Sequence, residues 1–103
     1  MAGKIQQLQL LQQNLQNILL QKQQLQNQLL ELESALAELR TTDQAYKIVG
    51  KIMIATSKEK LLQELEHKKE VQEVRLKNII KQEEKLTQNI EDSRQEALHE
   101  LKK

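Results

Sequence analysis

Ala45-Tyr-Lys-Ile-Val-Gly-Lys-Ile-Met-Ile-Ala-Thr56 is the one stretch of this chain that reads as β-structure, and it lies between two long helical segments. Tyr46 to Val49 and Ile52 to Ala55 are short runs rich in β-branched and large apolar residues, separated by Gly50-Lys51. A glycine at the first central position suits a two-residue type II′ turn, so the stretch predicts a hairpin. Period-2 alternation puts Tyr46 and Ile48 on one face and Lys47 and Val49 on the other, while Ile52 and Ile54 oppose Met53 and Ala55. Both faces therefore carry apolar side chains. Two strands alone are marginal in water, and their unpaired edges invite further strands. No other segment reads as a strand. The hairpin residues Tyr46, Ile48, Val49, Gly50, Ile52, Met53 and Ile54 are thus expected to be an assembly element whose missing neighbours come from other subunits.

The flanking segments read as coiled coil. Leu8, Leu15, Leu29 and Leu36 share one heptad position, and Leu11, Ile18, Leu25, Leu32 and Leu39 share the matching second one. Lys22 interrupts the first set, a substitution that commonly costs stability while fixing register and partner. A helix is predicted over residues 1–40, and Arg40-Thr-Thr-Asp43 then breaks the pattern with residues suited to turns and caps. Thr56-Ser-Lys-Glu59 fits a capping box with the Thr56 hydroxyl as cap, opening a second helix over 57–101. Its seam uses Leu62, Leu65, Leu76, Ile79, Leu86, Ile90 and Ala97, with Lys69, Gln72, Glu83 and Ser93 at positions where apolar residues are expected. Because the hairpin turns the chain back, the helices should pair antiparallel, with residue numbers across the seam summing to about 98. That register puts Leu36 near Leu62, Ile18 near Ile79, Leu8 near Ile90, and Lys22 near Glu73.

Composition agrees with this class. Only 38% of the 103 residues are hydrophobic, Tyr46 is the single aromatic, proline is absent and glycine occurs only at positions 3 and 50. Such a chain is rich in helix formers and poor in material for a globular core, and its length suggests one domain. The net charge is +1, with acids and bases interleaved after Ser57, whereas residues 1–30 carry only Lys4 and Lys22. Nothing forms a basic stripe that would track phosphates, so nucleic acid is not an expected partner. There is no cysteine, hence no thiolate nucleophile or disulfide, as suits a cytoplasmic protein. Met-Ala-Gly-Lys leads into Gln-rich amphipathic sequence rather than an apolar signal region, and no membrane span is expected. His67 lies one turn from Glu64 and Glu70, and His99 lies near Glu96, but on Glu-rich helices such spacing arises by chance. With no phosphate-binding loop either, neither catalysis nor a cofactor is expected.

Several apolar residues fall off the seam, and their grouping is informative. Met1, Ile5, Leu8, Leu10 and Leu11 should meet Ile90, Ala97, Leu98 and Leu101 at the coil end furthest from the hairpin. Fraying there would expose apolar surface suited to a nonpolar partner of no fixed sequence.

The residues that carry a family resemblance are now in view: Tyr46-Lys-Ile-Val-Gly50, the second apolar strand and its cap, Glu70-Val-Gln-Glu-Val-Arg75, Lys81-Gln-Glu83, and the Gln-rich helix around Gln21-Lys-Gln23. Over nearly its whole length the chain resembles the β-type subunit of prefoldin, particularly the archaeal form; one hairpin rather than two favours the β type over the α type. The resemblance implies that residues 1–103 form a single prefoldin-like domain, mainly α, a long antiparallel two-helix coiled coil with one central β-hairpin that joins an intersubunit β-barrel platform. It implies a hexamer of two α-type and four β-type subunits. It also implies an ATP-independent holdase that captures nonnative client proteins at the coiled-coil tips and passes them to a group II chaperonin. The rival reading is a structural scaffold or filament-forming subunit without client transfer, since coils on a β hub can equally act as spacers.

Overall fold

The structure, a computed structural model, describes residues 2–101. Helix α1 spans Ala2–Thr41, strands β1 and β2 span Ala45–Val49 and Ile52–Thr56, and helix α2 spans Lys58–Leu101. The expected class is observed: two long helices joined through one antiparallel hairpin. With no proline anywhere and no glycine between positions 3 and 50, nothing interrupts α1 before the Thr-Thr-Asp sequence. There the Thr41 hydroxyl donates to the Glu38 carbonyl (2.8 Å), and the Thr42 hydroxyl bonds the backbone of Gln44, replacing helical bonds with local turn bonds.

The chain divides into two compact units. One comprises residues 25–75, with the hairpin; the other joins the residues up to 24 to those from 76 onward. In the hairpin unit, Leu25, Leu29, Leu32, Leu36 and Leu39 of α1 recur with heptad spacing as covered positions, matched by Leu62, Leu65, Lys69 and Gln72 of α2. Leu29, Leu36, Leu39 and Ala45 are buried here. In the terminal unit the covered positions are Lys4, Leu8, Leu11, Leu15, Ile18 and Lys22, facing Leu76, Ile79, Glu83, Leu86, Ile90, Ser93, Ala97 and Glu100. Only Ile90 is buried among the described hydrophobic residues of this unit. Its seam is therefore more thinly covered than that of the hairpin unit.

Pairing is antiparallel as expected, but the register differs. Lys22 Nζ lies 2.9 Å from Glu83 Oε2, not beside Glu73, whose carboxylate instead lies 4.0 Å from Lys69. Lys4 with Glu100 in the terminal unit, and Arg40 with Glu66 in the hairpin unit, carry the same displacement from the expected register, about one heptad. A slip of one heptad preserves the spacing of the repeat, so periodicity alone does not distinguish the two registers; the polar interruptions differ, since only the observed one sets Lys22 against Glu83. The connections differ in length too. Thr42, Asp43 and Gln44 separate α1 from β1, whereas Ser57 alone separates β2 from α2. The first turns of α2 consequently run beside the α1 to β1 connection, where Glu64 meets Lys47 of β1 and Lys58 Nζ caps the Arg40 carbonyl.

The cap of α2 also differs. Ser57, not Thr56, is the N-cap: its hydroxyl accepts from the Lys60 amide (3.2 Å), and its carbonyl takes the first helical bond, from the Leu61 amide. Thr56 is engaged as the last ladder residue, opposite Ala45. Glu59 then sits in the first turn, where its charge favours the helix N-terminus.

Candidate functional site

Two surfaces were singled out from the sequence, the hairpin and the terminal helix ends. In the hairpin, Tyr46 pairs with Ala55, Lys47 with Ile54, Ile48 with Met53, and Val49 with Ile52. Gly50 has φ 63°, and no other residue among those described has positive φ. That combination requires the type II′ turn, since type I′ would need positive φ at Lys51 as well. Directly opposed residues share a face, so Tyr46, Ile48, Met53 and Ala55 form one surface and Ala45, Lys47, Val49, Ile52, Ile54 and Thr56 the other.

The two surfaces are unequally covered. Ala45 is buried, while Lys47 and Thr56 are half-buried at the base of the second surface. Lys47 Nζ there lies 2.7 Å from Glu64 Oε1 and holds that carboxyl below its ordinary range, with Lys68 also near. Every residue of the first surface is exposed, Ile48 at 68% and Met53 at 65%. At the turn, Val49 and Ile52 are exposed as well, so the apolar surface wraps both sides of the hairpin. The sheet has only the strands β1 and β2, and both outer edges lack a partner strand among the described residues. A surface of this kind can be completed by backbone pairing with strands of other chains and by burial of the exposed side chains.

At the terminal helix ends, the bond between Lys4 and Glu100 brings the start of α1 to the end of α2. The structure divides the predicted residues into two sets. Ile5, Leu10, Leu98 and Leu101 are exposed, whereas Leu8, Leu11 and Ala97 are half-buried in the seam and Ile90 is buried. Met1 lies outside the described residues. Leu98 and Leu101, three apart on α2, share a face, whereas Leu10 points to a different side of α1 from Ile5. Thus the exposed residues surround a seam whose last apolar layers are only partly covered.

Sequence reasoning missed the ionic closure of this end. Lys4 occupies the seam position outside Leu8, and Glu100 the one outside Ala97. Their side chains meet at 2.7 Å, with Glu96 at 3.8 Å from Lys4. The hydrogen bond raises the pKa of Lys4 and lowers that of Glu100, each from its ordinary value. Extending the heptad one step beyond Leu8 and Ala97 would have found both residues.

Among the described residues, no three His, Asp or Glu side chains gather as a metal site requires, and no helix is long and apolar enough to cross a membrane.

The profile of a family described as "Prefoldin subunit" matches residues 3–103. The chain is 40% identical to prefoldin subunit beta of Archaeoglobus fulgidus over 94 residues, covering 88% of this chain and 81% of the relative. It is 44% identical to that of Pyrococcus furiosus over 89 residues, 84% and 76% of the respective chains. For Methanosarcina barkeri the values are 39% over 102 residues, 93% and 87%. The crystal structure of the prefoldin beta subunit from Thermococcus strain KS-1 superposes with a TM-score of 0.86 at 36% identity, covering 92% of this chain and 86% of that one.

Proposed function

We propose, because this chain belongs to the prefoldin subunit family of chaperones and is of the β type, that it is a subunit of an ATP-independent holdase. The observation that carries the reading is the unfinished hairpin, whose apolar side chains are exposed on both surfaces and whose edges are unpaired. Four such hairpins, with those of two α-type subunits, close into a β-barrel platform that buries these surfaces. The helical coils then project as separate arms of one assembly. Exposed Ile5, Leu10, Leu98 and Leu101, with the thinly covered Leu8, Leu11 and Ala97 behind them, contact hydrophobic segments of nonnative proteins. Each contact is weak, but several arms raise the effective concentration of the next one, so no single side chain is indispensable. Held clients are passed to a group II chaperonin in the cytoplasm. Domain organisation follows the same reading, one prefoldin-like domain over the whole chain.

The test is native isolation of the tagged protein from its source cells, with the identity and stoichiometry of everything retained. The holdase reading expects an α-type companion at one copy for every two of this chain, chaperonin subunits, and many unrelated clients. A single folded partner, or this chain alone in long assemblies, would replace that reading with a scaffold.

A further inference from the structure

We propose that Lys4, with Glu100 and Glu96, is a salt-sensitive latch on the end of the coil: closed, it keeps the last seam layers covered, and released, it bares Leu8, Leu11 and Ala97 to a nonnative segment. The capture step rests on the holdase reading; the latch itself rests on the terminal unit alone.

The outermost seam layer among the described residues is ionic where an apolar layer would ordinarily stand. Lys4 Nζ reaches Glu100 Oε1 at 2.7 Å and Glu96 Oε2 at 3.8 Å, and the Lys4 and Glu100 side chains are 35% and 37% exposed. Lys22 and Glu83 form the same kind of pair deeper in the same unit, one layer in from Ile18 and Leu86, and are less exposed. The difference in setting gives the two pairs different roles. The less exposed pair is screened less by salt and specifies which residues face each other; the more exposed Lys4 and Glu100 are screened more.

Among the described residues, this end is thinly covered. Ile90 is the one buried hydrophobic residue of the terminal unit among those described, and beyond it the seam consists of half-buried Ser93, Leu11, Ala97 and Leu8 before the ionic layer. Opening the outer turns therefore gives up partial apolar burial together with the ion pair, and the pair is the part of that cost that salt screens. Asp92, Gln95 and His99 border the groove beside Lys4 and Glu100, so polar side chains line it among the described residues.

The experiment compares the full-length wild-type chain with Lys4→Gln and Lys4→Leu. Amide hydrogen exchange is read over residues 5–12 and 93–100 at low and at high salt. The latch expects exchange about three-fold faster in Lys4→Gln than in wild type at low salt, a difference that disappears near ~1 M salt. Lys4→Leu supplies an apolar layer and should exchange more slowly than wild type, with little response to salt. Unchanged exchange in Lys4→Gln, or exchange in Lys4→Leu as fast as in Lys4→Gln, overturns the latch. The same proteins are assayed for suppressing aggregation of a chemically unfolded test protein, with the expected order Lys4→Gln, wild type, Lys4→Leu. If exchange follows the expected order and all three proteins fail to suppress aggregation, the holdase reading falls and with it the capture step. If all three suppress equally while exchange behaves as expected, the capture step alone is overturned.

Discussion

Lys22 and Glu83 show how two residues that each break a heptad can support it together. Either one facing leucine would be a charge in an apolar layer, but at 2.9 Å they satisfy each other with side chains only 27% and 23% exposed. Removing one partner strands the other, so Lys22→Leu and Glu83→Leu should each cost about 1–2 kcal/mol in urea unfolding. The double variant Lys22→Leu, Glu83→Leu should recover most of that loss, since an apolar layer replaces an ionic one without an orphaned charge. If the double loss equals the sum of the single ones, the pair is not coupled. Gln72 is the unsolved counterpart: its Oε1 is buried with no hydrogen-bond partner among the described residues. Gln72→Leu should therefore raise stability by about 1 kcal/mol, and a melting temperature below that of wild type would show that the amide has a partner in solution.

At the scale of elements, the hairpin and the start of α2 form one joint. Ser57 caps the helix while Thr56 completes the strand. Ser57→Ala should then cost about 1 kcal/mol, and Thr56→Ala should leave the cap intact, which thermal melts of the two variants distinguish. Lys47 pins β1 to α2 through Glu64, whose carboxyl it holds below the ordinary value of 4.5. A depressed carboxylate pKa in the folded state stabilises above the unfolded value, and the benefit is lost as pH falls through the folded one. Melting temperature should thus drop from about pH 4.5 downward, with a shallower drop in Glu64→Gln; equal slopes in the two proteins would mean that Glu64 titrates normally. How much of this was legible differs by element. Heptad spacing announced both seams down to the polar interruptions, because burial in a coil follows that period. The turn type followed from a glycine placed where positive φ is needed. Register escaped because a seven-residue slip preserves the heptad spacing, and only the match of Lys22 with Glu83, together with connections of unequal length, selects the observed one. The cap escaped because Thr56 and Ser57 both suit it, and only strand pairing removes Thr56 from contention.

For the molecule as a whole, the central question is what covers the hairpin. Exposed apolar residues on a monomer can be incidental, but those of one contiguous hairpin with unpaired edges are expected to be buried by other subunits. Ile48 and Met53 oppose each other on the more exposed surface and touch no core of this chain, so Ile48→Asp or Met53→Asp should shift monomer unfolding by no more than about 0.5 kcal/mol. In an assembly that buries the surface, the same carboxylate would enter an apolar interface without a partner, and such a charge is strongly unfavourable. Native mass spectrometry of the chain mixed with its α-type companion should therefore find the hexamer with wild type and only smaller species with either variant, at unchanged helicity. Intact hexamers carrying Ile48→Asp and Met53→Asp together would mean that this surface faces water in the assembly. The platform would then have to form through the strand edges and the opposite surface, with Val49, Ile52 and Ile54 as its apolar contacts.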